Sequence, residues 1–259
     1  MKEYDKYLKL LKEKYPTKQS VYRELINLNA IMNLPKGTEH FMSDLHGEYD
    51  AFYHIINNCS GVIREKVAML YGDELTVYEQ QELCTLIYYP REKLSILMDE
   101  NKVNDEWYRN VLNQLIQIAK LLSSKYTRSK VRKAMPVDFA YIIDELIHAQ
   151  KDEDDNRSVY HRQIMETILS LHNGDEFLVA LTDLIKRLAV DHLHILGDIY
   201  DRGPHADKIL DLLMEHHSVD IQWGNHDILW MGAFCGNPVC MALVVRNNIK
   251  YKTMSILEN

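Results

Sequence analysis

The sequence predicts an α/β fold into which a large all-helical block has been inserted. Two observations carry that expectation. A strand, helix, strand order runs from VDHLHILGD (190–198) through HADKILDLLMEHH to VDIQWGN (219–225), the length of one βαβ unit with parallel strands. In addition, no glycine occurs between Gly72 and Gly174. A hairpin-rich sheet is hard to build without glycine turns, so that interval reads as helical.

Taken in order, residues 1–35 read as an N-terminal helical segment. Leu8, Leu10, Leu11 and Tyr15 recur at helical spacing, Pro16 stops the first helix, and a second runs from about Ser20 to Met32. LPKG turns the chain, and TEHFMSD (38–44) shows the alternation of a short strand. GEYDAFYHIINN follows with helical periodicity and Phe52, Ile55 and Ile56 on one face. Residues 36–60 thus form a first part of the α/β core, 61–188 the helical insertion and 189–259 a second part of the core. NDEWYRNVLNQLIQIAKLL and DFAYIIDELIHAQ are the clearest helical stretches of the insertion.

The 259 residues hold 30 Lys and Arg against 38 Asp and Glu, a net charge of -8 that offers no basic surplus for nucleic acid. No run of about 18 apolar residues predicts a membrane span. The start, MKEYDKYLKLLKEKY, lacks an apolar signal core. Cys59, Cys84, Cys235 and Cys240 show no paired spacing and read as reduced, buried thiols in the cytoplasm.

Three short motifs end the three predicted strands: SDLHG (43–47), GDIYDRG (197–203) and GNHD (224–227). In an open α/β sheet the carboxyl ends of the strands are where ligands bind. The motifs supply Asp44, His46, Asp198, Asp201, Arg202, Asn225 and His226, a mixture of carboxylate, amide and imidazole donors suited to a pair of Mn²⁺, Fe or Zn ions. Asp44 and His46 lie two apart, so in extended chain both face one ion. Asp198, at the tip of the next strand, can bridge two ions, and Asn225 offers the second a neutral ligand. Arg202 suits phosphate oxygens, and His226 beside Asp201 makes an oriented acid. Gly197 and Gly203 allow tight turns close to ions and phosphate. Singly, each motif also reads as surface polarity, a turn with an ion pair, or a helix cap; their joint placement at successive strand ends argues for function.

In this order the motifs resemble the signature of calcineurin-like metallophosphoesterases. LPKGTEHFMSDLHGEYDAF, SSKYTRSKVRKA, VDHLHILGDIYDRGP and HSVDIQWGNHDILWMGA are similar to class III fructose-1,6-bisphosphatases, over about residues 3 to 250. The resemblance implies part of a metallophosphoesterase sandwich, with the long helical insertion as a second mark of that branch. It implies that Asp44 and His46 hold a first metal, Asp198 bridges and Asn225 holds a second. His226 would protonate the leaving alkoxide, oriented by Asp201, with Arg202 on phosphate and a metal-activated hydroxide attacking in line. Fructose-1,6-bisphosphate as the sugar bisphosphate partner, Mn²⁺ as cofactor and a place in gluconeogenesis come from the resemblance alone. The family adds further histidines downstream of GNHD. Here His226 is the last histidine, so the chain reads as the N-terminal portion of a longer enzyme, with an incomplete site and doubtful activity alone. Another calcineurin-like phosphatase, acting on phosphoproteins or dinucleoside polyphosphates, and a non-catalytic helical assembly fragment are the alternatives. A homo-oligomer is also an expectation.

Other features read more plainly. SKYTRSKVRK (124–133) has five bases and no acid, and suits a solvated helix face, with a phosphorylated effector or the acidic KDEDD (151–155) as other partners. His192 and His194 share one side of a strand and read as packing or support for a ligand. His216 and His217 end a helix, where they complement its dipole.

Overall fold

The structure is a computed structural model that describes residues 2–149 and 155–258; most of KDEDD therefore lies outside the described residues. The chain is mixed α/β, mostly helical with a small parallel sheet. It opens with α1 (Lys2–Lys14) and α2 (Lys18–Ile31). Thr17 caps α2, accepting the Ser20 amide at 3.1 Å while the Ser20 hydroxyl accepts the Thr17 amide at 3.1 Å. That reciprocal pair starts the helix two residues before the expected position. Tyr22, Leu25, Ile26 and Leu28 of α2 remain exposed.

β1 (Glu39–Met42) and α3 (Tyr49–Asn58) follow. Phe52 of α3 is buried, whereas Ile55, expected on the same face, is exposed. Eight helices come next: α4 (Val62–Tyr71), α5 (Val77–Tyr88), α6 (Pro90–Asp99), α7 (Asp105–Ser123), α8 (Arg128–Ala134), α9 (Ala140–His148), α10 (Asp155–Ser170) and α11 (Gly174–Ala189). Their starts are legible in single residues. Thr76 and Glu79 cap α5 reciprocally, and Asn104 Oδ1 accepts the Trp107 amide at 2.8 Å to open α7. In α7, Leu112, Leu115, Ile118, Ala119 and Leu122 recur at helical spacing and are buried against Phe177, Leu181 and Leu184 of α11 within one large apolar core.

The basic stretch is not simply solvated. Lys130 pairs with Asp191 at 2.5 Å, Arg132 approaches Asp144 at 3.7 Å, and Lys125 Nζ donates to Thr38 Oγ1 at 3.0 Å. Burial lowers the Lys125 pKa.

β2 (His192–Ile195), α12 (Ala206–Glu215), β3 (Val219–Ile221), α13 (Asn225–Phe234), α14 (Pro238–Tyr251) and α15 (Ser255–Glu258) complete the chain. The strands run parallel in the order β1-β2-β3, with Phe41 opposite His194 and His194 opposite Asp220. The period of two divides β2 by face. Leu193 and Ile195 enter a small second core with Leu45, Phe52, Ile199, Ile209 and Leu213. His192 and His194 lie on the other face.

Two expectations need correction. Cys59 and Cys84 are buried thiols, Cys59 pushed up to about 12 by burial, but Cys235 is exposed and Cys240 half-buried. His216 lies just beyond α12 and is no cation for its dipole: burial first, then His217, pushes its pKa down to about 4. Among the described residues no helix is long and apolar enough to cross a membrane.

Candidate functional site

The three strands are short, and each releases its motif at the same edge of the sheet. Backbone hydrogen bonds continue past the strand ends and bind the loops to one another. The Asp44 amide donates to Gly197 O at 3.2 Å, His46 to Asp198 O at 2.8 Å, and Gly203 to His46 O at 2.5 Å. This is a different geometry from the extended one expected of Asp44 and His46. Both stand beyond β1, with φ of 57° and 48°. Asp198 (φ 55°) and Asp201 (φ 137°) are also left-handed. Such backbone costs on the order of 1–3 kcal/mol at each non-glycine residue, and it collects where function demands it. The other five non-glycine residues with positive φ among those described are Cys59, Ser60, Asn101, His172 and Lys252. Most of those sit at helix ends, where a left-handed residue is routine.

The glycines serve close approach. A Cβ on Gly203 would lie 2.5 Å from the Gly47 carbonyl carbon, and one on Gly197 (φ 103°) would lie 2.3 Å from the Gly224 nitrogen. Only bare backbone lets the three loops come this near.

The third loop is locked by a residue whose role sequence reasoning missed. Asp227, 1% exposed, accepts the amides of Asp198 and Gly224 at Oδ2 (both 2.8 Å) and those of Ile199 and Tyr200 at Oδ1 (2.9 and 3.1 Å). Four donors on one buried carboxylate hold the GDIYDRG loop against the start of α13. The available signal was an aspartate three positions after a glycine cap, a place from which a carboxylate turns back to amides. Tyr200 also stacks on Trp230 at 4.6 Å between ring centroids.

On this frame the motif side chains meet. His46 Nε2 is 3.5 Å from Asp44 Oδ1, and the His46 ring stands edge-on to His226 at 6.0 Å. Asp198 Oδ1 accepts the His226 backbone amide at 3.2 Å. His226 Nδ1 is 3.4 Å from Asp201 Oδ1, and Arg202 Nε donates to Asp201 Oδ2 at 3.3 Å. The Asp201 carboxylate is 2% exposed and its Oδ1 has no hydrogen-bond partner. A buried carboxylate with an open lone pair is an acceptor awaiting a donor, and the His226 ring is the nearest. Asp44 is exposed at the rim, as is the Arg202 guanidinium. Asn225 is brought alongside by the chain, between Gly224 and His226, with its side chain exposed. Carboxylates and imidazoles from the three motifs thus stand together at the carboxyl edge of a parallel sheet, with an exposed guanidinium and the Asn225 side chain at the rim. These are donor types of the kind that bind divalent cations and phosphate oxygens.

The chain belongs to the Firmicute fructose-1,6-bisphosphatase family, whose sequence profile matches residues 6–259. It is 54% identical over 269 residues to a class 3 fructose-1,6-bisphosphatase of Clostridium beijerinckii, covering 100% of this chain and 40% of that protein. The class 3 enzyme of Listeria monocytogenes is 54% identical over 254 residues, 98% of this chain and 39% of that protein. That of Clostridium acetobutylicum is 53% identical over 254 residues, 98% of this chain and 38% of that protein. The chain therefore spans about two fifths of the length of these relatives. No solved structure matches it at a significant level.

Proposed function

We propose that this chain supplies ligands and proton-transfer residues to a Mn²⁺-dependent phosphomonoesterase that removes the 1-phosphate of fructose-1,6-bisphosphate, in the cytoplasm, as a step of gluconeogenesis. The observation that carries this reading is the meeting of Asp44, His46, Asp198, Asp201 and His226, from three distant stretches, in loops held together by backbone hydrogen bonds. The substrate follows from the 54% identical class 3 relatives, since no residue described here reads a sugar.

The donors present fit part of a site for a pair of divalent ions. Asp44 and His46 would hold one, with Asp198 and Asn225 as further ligands to the pair. Bound manganese supplies positive charge that activates water and shields phosphate oxygens. The chain's own residues do the rest. Asp201, whose open Oδ1 stands 3.4 Å from His226 Nδ1, would accept the Nδ1–H on a small closure, aiming the opposite ring nitrogen at the departing oxygen with its proton there to be given up. Arg202, anchored through Nε on Asp201, presents its outer nitrogens to phosphate. Asp227 keeps the Asp198 loop in its left-handed shape before any ligand arrives, so that binding does not have to order it. In this reading the three-stranded sheet is one layer of a calcineurin-like sandwich, split by the helical block of residues 61–188, with 1–35 as a helical lead-in. Assembly of several chains is compatible with the exposed apolar faces of α2 and α14.

The test is phosphate release from fructose-1,6-bisphosphate with added Mn²⁺. Asp198→Asn is expected to lower the rate on the order of 100-fold or more, and His226→Asn by roughly 10²–10⁴ with Mn²⁺ binding retained. Equal and measurable release by Asp198→Asn and the unsubstituted chain would place the chemistry elsewhere, whereas no release from either would show that the ligands in these residues do not complete a working site.

A further inference from the structure

The sheet face opposite the small core carries a cluster that the phosphatase reading leaves unused. His192 and His194 project from β2 two residues apart, and Asp220 stands opposite His194 on β3. The side chains converge. Asp220 Oδ2 is 3.1 Å from His192 Nε2, Asp220 Oδ1 is 2.8 Å from His194 Nδ1, and the two rings are 4.4 Å apart. One donor atom from each of the three lies within 4.8 Å of the others. Donors held about 2.0–2.2 Å from a single ion in tetrahedral geometry stand about 3.3–3.6 Å apart, so an ion would draw these three inward.

The surroundings show more than proximity. Each imidazole has an oxygen facing the nitrogen turned away from Asp220. His192 Nδ1 lies 2.6 Å from Ser218 Oγ. His194 Nε2 faces Glu39 Oε2 of β1 at 3.9 Å, and it is buried with no hydrogen-bond partner. Phe41 stacks flat on the His194 ring at 4.3 Å and 13°, which fixes the plane of its nitrogens. An outer acceptor on the second nitrogen is the usual mark of a metal-binding histidine, because it sets the tautomer and orients the ring. The problem at His194 is specific. A neutral imidazole has one N–H, and here a carboxylate waits at both nitrogens. An ion on Nδ1 resolves this, since the single proton then sits on Nε2 and faces Glu39.

We propose that His192, His194 and Asp220 form a second metal site, on the sheet face and apart from the loops at the carboxyl edge. Its ion is a borderline-soft divalent one, with Zn²⁺ as the natural probe. Two imidazoles and one carboxylate suit Zn²⁺, Ni²⁺ or Cu²⁺, whereas Mg²⁺ and Ca²⁺ prefer all-oxygen sites. The bound ion ties β2 to β3, strands of four and three residues, and so staples a sheet with few backbone hydrogen bonds of its own. The rival arrangement is a metal-free one in which a protonated His194 bridges Asp220 and Glu39.

The experiment is a calorimetric titration of the full chain with Zn²⁺ alone, in an Asp44→Asn, Asp198→Asn background that silences the carboxyl-edge loops. One equivalent of Zn²⁺ is expected to bind, and adding His192→Gln with His194→Gln is expected to weaken it roughly 100-fold or more. Because those substitutions could disturb the sheet, a second measurement uses unsubstituted side chains. In the ¹³C-labelled chain the imidazole Cε1 signals of His192 and His194 should move together with one Zn²⁺ equivalent. No binding in the silenced background, or binding that leaves both signals in place, overturns the site and favours the protonated bridge.

Discussion

Phe177 in α11 and Asp227 in α13 are almost equally hidden, at 0% and 1% exposure, yet they are held by opposite means. Phe177 is surrounded by apolar side chains, with Phe139 edge-on at 5.3 Å. Asp227 is surrounded by backbone amides. Burial of apolar area is non-directional and tolerates small shifts, so it suits a block of helices that has only to be stable. Hydrogen bonds to a buried carboxylate have fixed directions and a heavy penalty when broken, so they suit loops that must hold left-handed backbone in one shape. This protein keeps its stability in the helical block and its strained backbone in the loops.

Phe177→Ala is the sharpest test on the helical side and carries the largest expected effect. Emptying so enclosed a site costs about 3–5 kcal/mol. It should lower the urea midpoint strongly while leaving Mn²⁺ affinity of the remaining folded chain unchanged. A parallel fall in affinity would break the comparison by showing that the block shapes the loops.

Asp227→Ala comes next, at roughly 2–4 kcal/mol, because four amides lose their acceptor together. Its signature is local. Amide hydrogen exchange at Ile199 and Tyr200 should quicken by orders of magnitude more than in α7, and Mn²⁺ binding should weaken with it. Uniform quickening in both regions would mean that the two unfold as one unit.

This contrast also marks what a reader of the sequence can see. Helices were legible because their rules are local: the lack of glycine between Gly72 and Gly174, and the apolar spacing of NDEWYRNVLNQLIQIAKLL that sets Leu112, Leu115 and Leu122 on one face. The motif residues were legible because chemistry concentrates Asp, His and Gly in short runs. The left-handed turn of Asp44 and His46 was not, since it depends on hydrogen bonds to Gly197 and Asp198 far along the chain. The grip of Asp227 was hidden for the same reason. So was the meeting of His192 and His194 with Asp220, which only the register of β2 on β3 creates. Long-range pairing, rather than residue type, is what the sequence conceals.

Gly203→Ala refines the loop side with a smaller effect. The added Cβ meets Gly47 and His46 backbone at 2.5–2.6 Å, and overpacking of this kind costs about 1–3 kcal/mol. Backbone cannot rotate away as a side chain does, so the loops must separate. Phosphate release should therefore fall further than the urea midpoint suggests. Equal, small losses in both would show the loops to be softer than their hydrogen bonds imply.

The seam between the two regions offers the mildest perturbation, a change of pH. A cavity of about 410 Å³ lies there, lined by Asp183, Lys186 and Arg187 from α11 and by Leu193, Leu212 and His216 from the sheet side. His216 Nδ1 lies 3.1 Å from Ser218 O and 3.4 Å from the Ser218 amide. Burial, reinforced by His217, pushes its pKa down to about 4, against about 6.5 in an unfolded chain. The sign follows from which state binds the proton first. With the folded value depressed, the unfolded chain is protonated first as pH falls, so protons favour unfolding. The contribution of neutral His216 is complete above about pH 6.5 and drains away between there and about pH 4. Urea midpoints should match at pH 8 and 7 and decline below 6.5, and His216→Gln should flatten that decline. Some slope should persist, because burial also lowers the pKa of His217. A variant that keeps the full slope would move the acid sensitivity out of the seam and into one of the regions it joins.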